Sequence, residues 1–116
     1  MKTNSQIICF DIDNVICKTA SNNYKNSKPD KVAIRIINKL YEKGYYIKIF
    51  TARYMGRYKG NKSIVKKKTS ETKKYLKLWN VKYHKLIMCK PTYDLFVDDK
   101  SYGFSSNWKK VLSKFY

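Results

Sequence analysis

Acidic residues are scarce in this chain, and their placement is its first chemical signal. Only eight of 116 residues are Asp or Glu. Asp11 and Asp13 follow directly on the apolar run Ile7-Ile8-Cys9-Phe10, and Asp98 and Asp99 follow directly on Leu95-Phe96-Val97. Asp is a poor strand residue, so an apolar run that meets one stops there and delivers the acid to its C-terminal end. Carboxylates crowded together repel, and a cation between them relieves the repulsion. For Asp-x-Asp alone, a turn that happens to contain Asp is the simpler explanation. Two further apolar runs, however, also end in polar groups: Tyr45 to Phe50 in Thr51, and Leu86 to Cys89 in Lys90. A carboxylate nucleophile, a second carboxyl for proton transfer, a hydroxyl donor and a fixed ammonium group are the parts of phosphoryl transfer. The all-oxygen donor set suits Mg²⁺. The single histidine, His84, excludes multi-histidine zinc sites, and its neighbours Lys82, Tyr83 and Lys85 predict a solvated loop.

These side chains meet only if the runs that carry them are parallel strands, because ligand sites in open α/β sheets lie outside the carboxyl ends of the strands. The intervening segments support that arrangement. Pro29-Asp30 starts a helix with Asp30 as N-cap, an apolar stripe of Val32, Ile36, Ile37, Leu40 and Tyr41, and Gly44 as its stop. Thr69 or Ser70 is expected to cap a second helix with Tyr75, Leu76 and Trp79 inward. Ser105 or Ser106 caps a third, with Trp108, Val111, Leu112 and Phe115 at helical spacing. Strands alternating with helices predict a mainly parallel α/β sheet in three layers. Lys18 to Lys28 has no period and reads as a loop beside the acids. Tyr54 to Lys68 reads as a long basic loop carrying Arg57, Lys59, Lys62 and the triple Lys66-Lys67-Lys68.

Composition bounds the partners. A length of 116 residues with 43% apolar and 16% aromatic side chains predicts one domain with a real core. Three scattered cysteines make no disulfide framework. Cys9 and Cys89 lie in apolar runs and are expected to be small buried residues; Cys17 is less clear. No signal peptide or membrane span is expected, which makes the cytoplasm the default location. The formal charge of +18 attracts phosphates and nucleic acid. Lysine so outnumbers Arg35, Arg53 and Arg57 that a general compositional bias explains much of this charge, and specific nucleic-acid binding is not the favoured expectation.

Read in order, Phe10-Asp11-Ile12-Asp13-Asn14-Val15, Phe50-Thr51, Lys90 and Val97-Asp98-Asp99 resemble the four motifs of the haloacid dehalogenase (HAD) superfamily of phosphohydrolases. They span Ile7 to Asp99, most of the chain. The resemblance implies a three-layer, Rossmann-like fold with a mainly parallel central sheet and a single capless domain over residues 1–116. It implies that Asp11 attacks phosphorus and forms an aspartyl-phosphate, while Asp13 protonates the leaving oxygen and later activates water. Mg²⁺ would be held by the Asp11 carboxylate, the Asp13 backbone carbonyl and a carboxylate of the last motif. Asp99 is the better direct ligand there, and Asp98 would orient water or Lys90. Thr51 would bond a phosphoryl oxygen and Lys90 would balance charge, with Ala52 and Arg53 beside them as further substrate contacts.

One departure stands out: Asn14-Val15 occupies the place where many members carry Gly-Thr. The stretch Phe50 to Arg57, with Lys90-Pro91-Thr92-Tyr93-Asp94, is similar to small capless phosphatases encoded with bacterial capsule and surface-polysaccharide genes. The function implied is hydrolysis of a phosphate monoester of a small metabolite, such as a sugar or polyol phosphate, with a second copy of the chain able to cover the open site. Two alternatives remain open from the residues alone: a polynucleotide end-phosphate phosphatase, and an inactive basic nucleic-acid-binding module.

Overall fold

The computed structural model describes residues 6–20, 23–53, 62–91, 93–95, 97–100 and 107–115. The centre is a three-stranded parallel sheet in the order β1-β4-β5, formed by β1 (Ile7–Phe10), β4 (Tyr46–Phe50) and β5 (Lys85–Ile87). The register pairs Phe10 with Ile49 and Phe50 with Ile87, so the three C-terminal ends lie along one edge. Among the described residues, three helices accompany the sheet: α1 (Lys31–Glu42), α2 (Lys62–Leu78) and the short α3 (Trp108–Leu112). The fold is thus mixed α/β with a parallel centre, and no cap module is evident among the described residues. No helix among them is long and apolar enough to cross a membrane.

The first strand ends because Ile12 and Ile16, both fully buried, pull the following turn into the core. The carbonyl of Ile12 accepts from the amides of Val15, Ile16 and Cys17, which closes a tight turn around residues 12–17. Within it Asn14 adopts φ of 65°. Asn is one of the few residues besides glycine that visits this left-handed region readily, so the departure at Asn14 is accommodated by its own chemistry. The segment after this turn is pinned rather than loose. β2 (Cys17–Lys18) pairs antiparallel with β3 (Lys28–Pro29), bracketing a single 3-10 turn at Tyr24–Asn26.

Asp30 caps α1 as expected, its Oδ1 accepting from the amides of Val32 and Ala33 at 3.1 Å each. Ala33, Ile34, Ile36, Ile37 and Leu40 form the buried stripe, whereas Val32 faces outward. Gly44, at φ of 98°, ends the helix. Asp30 also takes a hydrogen bond from Lys109 of α3, tying two helices through one carboxylate. Burial alone would raise its pKa, but Lys109 and the two amides outweigh this and hold it below the ordinary carboxylate value. A depressed folded pKa means stability that is present above the unfolded value and lost as pH falls through the folded one. Asp30→Ala is therefore expected to cost about 1–2 kcal/mol at pH 7. The difference from wild type should shrink below about pH 4, where the unfolded carboxyl protonates. Denaturant titrations at both pH values check this.

Several expectations change here. α2 begins by Lys62, so Lys66-Lys67-Lys68 lie on a helix and not in a loop. Thr69, expected as a cap, instead bonds back to the carbonyl of Val65 from inside the helix. The cysteine pattern is inverted: Cys9 and Cys89 are exposed and Cys17 is buried. Strand alternation explains Cys9, since Phe10 faces the core and its neighbour must face away. His84 is exposed but not merely solvated. Its Nδ1 accepts from the amide of Ile47, and its ring stacks on Tyr41 and Tyr46 at 4.5 Å each. Residues 54–61, Phe96 and the expected caps Ser105 and Ser106 lie outside the described residues.

Candidate active site

Parallel pairing brings three of the expected residues to one edge of the sheet. Asp11 follows β1, Thr51 follows β4, and Lys90 lies just beyond β5. The Lys90 Nζ reaches Asp11 Oδ2 at 3.0 Å across 79 residues of sequence. Two backbone bonds hold the loops in step: Thr51 N donates to Ile87 O at 3.0 Å, and Lys90 N donates to Thr51 O at 3.1 Å. Cys89, immediately before Lys90, sits at φ of 73°. That conformation is unfavourable for a side chain with a Cβ, and here it turns Lys90 toward Asp11. Burial would lower the Lys90 pKa, but hydrogen bonds to Tyr93 and Asp11 and the Asp11 charge prevail and hold the ammonium above its ordinary value.

Asp11 and Asp13 are not equivalent, because each meets different partners: Lys90 at Asp11, and Arg53 with Thr19 at Asp13. Asp11 Oδ1 accepts from Ile12 N at 2.7 Å, and its side chain keeps 35% of its exposure. It is accessible. Asp13 is instead gripped by Arg53: Nε lies 3.1 and 3.0 Å from its two oxygens, and Nη2 lies 2.8 Å from Oδ1. Thr19 Oγ1 adds a fourth bond to Oδ1 at 2.6 Å. Planar guanidinium geometry suits this forked contact and lysine would not reproduce it.

Arg53 was expected among the substrate contacts. Its side chain is fully buried, with Nη2 also donating to Ser27 Oγ at 3.1 Å and the guanidinium 4.7 Å from the Tyr24 ring. In this arrangement its charge is committed to Asp13. Thr51 is buried too, its Oγ1 accepting from Arg53 N at 3.1 Å, which leaves the hydroxyl proton available to another acceptor. Ala52, between them, is half-buried. Cys17 Sγ lies 3.6 Å from Arg53 Nη2. Burial pushes this thiol above its ordinary value despite the Thr19 hydrogen bond, so it is not a thiolate nucleophile at neutral pH.

The doublet Asp98-Asp99 lies at the surface. Both are exposed, and Asp98 Oδ1 accepts from Lys100 N at 2.8 Å; neither Leu95 nor Val97 is in a strand. Leu95 and Val97 are 80% and 86% exposed, which is the reverse of a buried strand. Among the described residues, no group of three or more His, Cys, Asp or Glu could hold a metal ion. Of the members expected for a Mg²⁺ ligand set, Asp11 and the backbone at Asp13 lie at the strand ends.

Thr19, Tyr24 and Ser27 are the residues that sequence reasoning missed. They come from the aperiodic stretch after Cys17, where no pattern distinguishes a hydroxyl aimed at a carboxylate from one in water. The only signal was position, since the segment follows directly on the two acids.

No family model and no curated protein matches the chain. Solved structures do. A crystal structure of an MCSG target from Vibrio cholerae is 22% identical with a TM-score of 0.75, over 94% of this chain and 97% of that one. A chain in the structure of the Pnkp1/Rnl/Hen1 complex is 16% identical with a TM-score of 0.54; the match covers 84% of this chain and 31% of that one. At these identities the likeness is one of fold.

Proposed function

We propose that this chain is a capless phosphohydrolase of HAD type that cleaves a phosphate monoester through Asp11. The observation that carries the reading is the Lys90–Asp11 contact between the ends of two separate strands, because a fixed ammonium beside an accessible carboxylate can neutralise an incoming phosphate. In the first step an Asp11 oxygen bonds to phosphorus as the bond to the leaving oxygen breaks. Asp13 supplies the leaving oxygen with its proton. Water then attacks phosphorus, giving up a proton to Asp13 and releasing Asp11 and inorganic phosphate. Thr51 donates its remaining hydroxyl proton to a phosphoryl oxygen. Because Asp13 is bound by Arg53 and Thr19, it must turn out of the fork and take up a proton from solvent before it can deliver one.

Mg²⁺ belongs to this proposal as the ion an all-oxygen site would take, and its chemistry there would be charge neutralisation. The three-layer HAD topology likewise belongs to it. The substrate class proposed is a small phosphorylated metabolite, the class to which the resemblance in sequence points; a second copy of the chain could supply cover for an open site. The net charge of +18 favours one second reading, a phosphate at a polynucleotide end. Release of inorganic phosphate from an aryl phosphate, with and without added Mg²⁺, tests the activity. Metal-stimulated turnover is expected, and none under either condition would discard the reading. A parallel assay with end-phosphorylated oligonucleotides and sugar phosphates separates the two substrate classes.

A further inference from the structure

Away from the strand ends, a groove of about 530 Å³ lies between α1 and the end of α2. Lys31, Arg35 and Lys39 line it at four-residue intervals, so they follow one another along one face of α1. At ~1.5 Å per residue they cover about 12 Å. All three are exposed. The only acid among the lining residues is Glu42, whose carboxylate is bound by Lys82 Nζ at 2.7 Å. Trp79 also lines the groove, half-buried and braced by the Tyr75 ring at 5.8 Å. The floor is fixed: Asn38 Nδ2 donates to Asn80 O at 2.9 Å, and Asn38 Oδ1 accepts from Lys82 N at 2.8 Å.

We propose that this groove binds single-stranded nucleic acid. A row of cations with an aromatic face beside it is what an unpaired strand requires: phosphates along the row, and a base against the ring. The row spans roughly three consecutive phosphates of an extended strand. A duplex keeps its bases stacked and offers none to Trp79, so the aromatic element selects an unpaired strand. Arg35 strengthens the case, being one of three arginines in a lysine-dominated chain and the one that stands on this row. The groove uses none of Asp11, Asp13 or Lys90, so the proposal stands or falls independently of the phosphatase reading.

The test measures binding alone. Fluorescence anisotropy of a labelled oligothymidylate is recorded against the full chain as salt is raised. Two triple variants are compared: Lys31→Glu/Arg35→Glu/Lys39→Glu in the groove, and Lys73→Glu/Lys74→Glu/Lys77→Glu on α2 outside it. Both change the net charge equally. The groove variant is expected to bind at least ~30-fold more weakly near physiological salt, with the log–log salt slope reduced by roughly two. The control should change less than about fivefold. Equal weakening by both variants would show attraction to net charge alone and overturn the proposal. So would equal affinity for a duplex, or for polyglutamate of matching charge. Trp108 is buried, so quenching of tryptophan emission on binding reports Trp79. Wild-type protein should show the quench and Trp79→Phe should lose it. Saturation of the wild-type chain without quenching overturns the proposal even if a triple variant fails to fold.

Discussion

Asp11→Asn should abolish phosphate release, lowering kcat by about 10⁴-fold or more, which corresponds to ~5 kcal/mol of lost transition-state stabilisation. The replacement is nearly isosteric, so its structural cost is small. The amide oxygen can still accept from Ile12 N, which now sits 2.7 Å from Oδ1. Lys90 loses an ion pair but keeps its hydrogen bond to Tyr93. The net stability change should be about 1 kcal/mol or less. What is lost is chemistry: an amide oxygen does not form a stable acyl-phosphate with phosphorus. Initial rates on an aryl phosphate, beside a thermal melt, separate the two effects. Turnover within tenfold of wild type would remove Asp11 from the nucleophile's role.

The largest stability effect is expected at Arg53. Arg53→Met fills much of the volume but leaves the half-buried Asp13 without its fork. Removing one partner of a buried pair costs about 3–5 kcal/mol, and the lower end applies because Asp13 keeps 21% of its side-chain exposure and the Thr19 bond. Adding Asp13→Asn to that variant should recover part of the loss, since it removes the charge left behind. Arg53→Lys should fall between, retaining charge without planar geometry. Activity gives a second readout. If Arg53 positions Asp13 for proton delivery, Arg53→Lys should slow hydrolysis of alkyl phosphates, whose leaving oxygen needs a proton, much more than hydrolysis of nitrophenyl phosphate. Equal slowing of both would assign Arg53 a structural role only. Denaturant titration of the three variants measures the stability arm.

The buried Asp13–Arg53 pair also bears on how the two acids divide their work. Asp11 stays accessible because it follows Phe10 at the strand end and its neighbour Ile12 carries the turn inward. Asp13, two residues later, falls on the side of the segment containing Thr19 and Ser27, whose hydroxyls lie 2.7 Å apart and both contact the pair. A hydroxyl network of this kind holds one carboxylate in place while the other remains open to a ligand. The difference between the two aspartates is thus a product of the partners each one meets: Lys90 at Asp11, and Arg53 with Thr19 at Asp13.

The local elements of this protein were legible in its sequence because each rests on short-range physics. Asp30 caps α1 and Gly44 ends it, and the stripe from Ile36 to Leu40 is buried, since helical spacing and cap chemistry need only a few residues to act. The strands β1, β4 and β5 follow from apolar runs that stop at polar residues, and their parallel order follows from helices between them. Hence Asp11, Thr51 and Lys90 could be placed together before any coordinates existed. What the tertiary structure decided is what depends on contacts between distant segments. The fork between Arg53 and Asp13 joins residues 40 apart, and no periodicity marks Arg53 as a buried arginine. The start of α2 at Lys62 overrides the loop-like look of a lysine-rich stretch, because lysine is a good helix former and only its neighbours decide. Leu95 and Val97 have the composition of a strand, yet burial is a property of what packs against a residue, and nothing in three apolar letters specifies that.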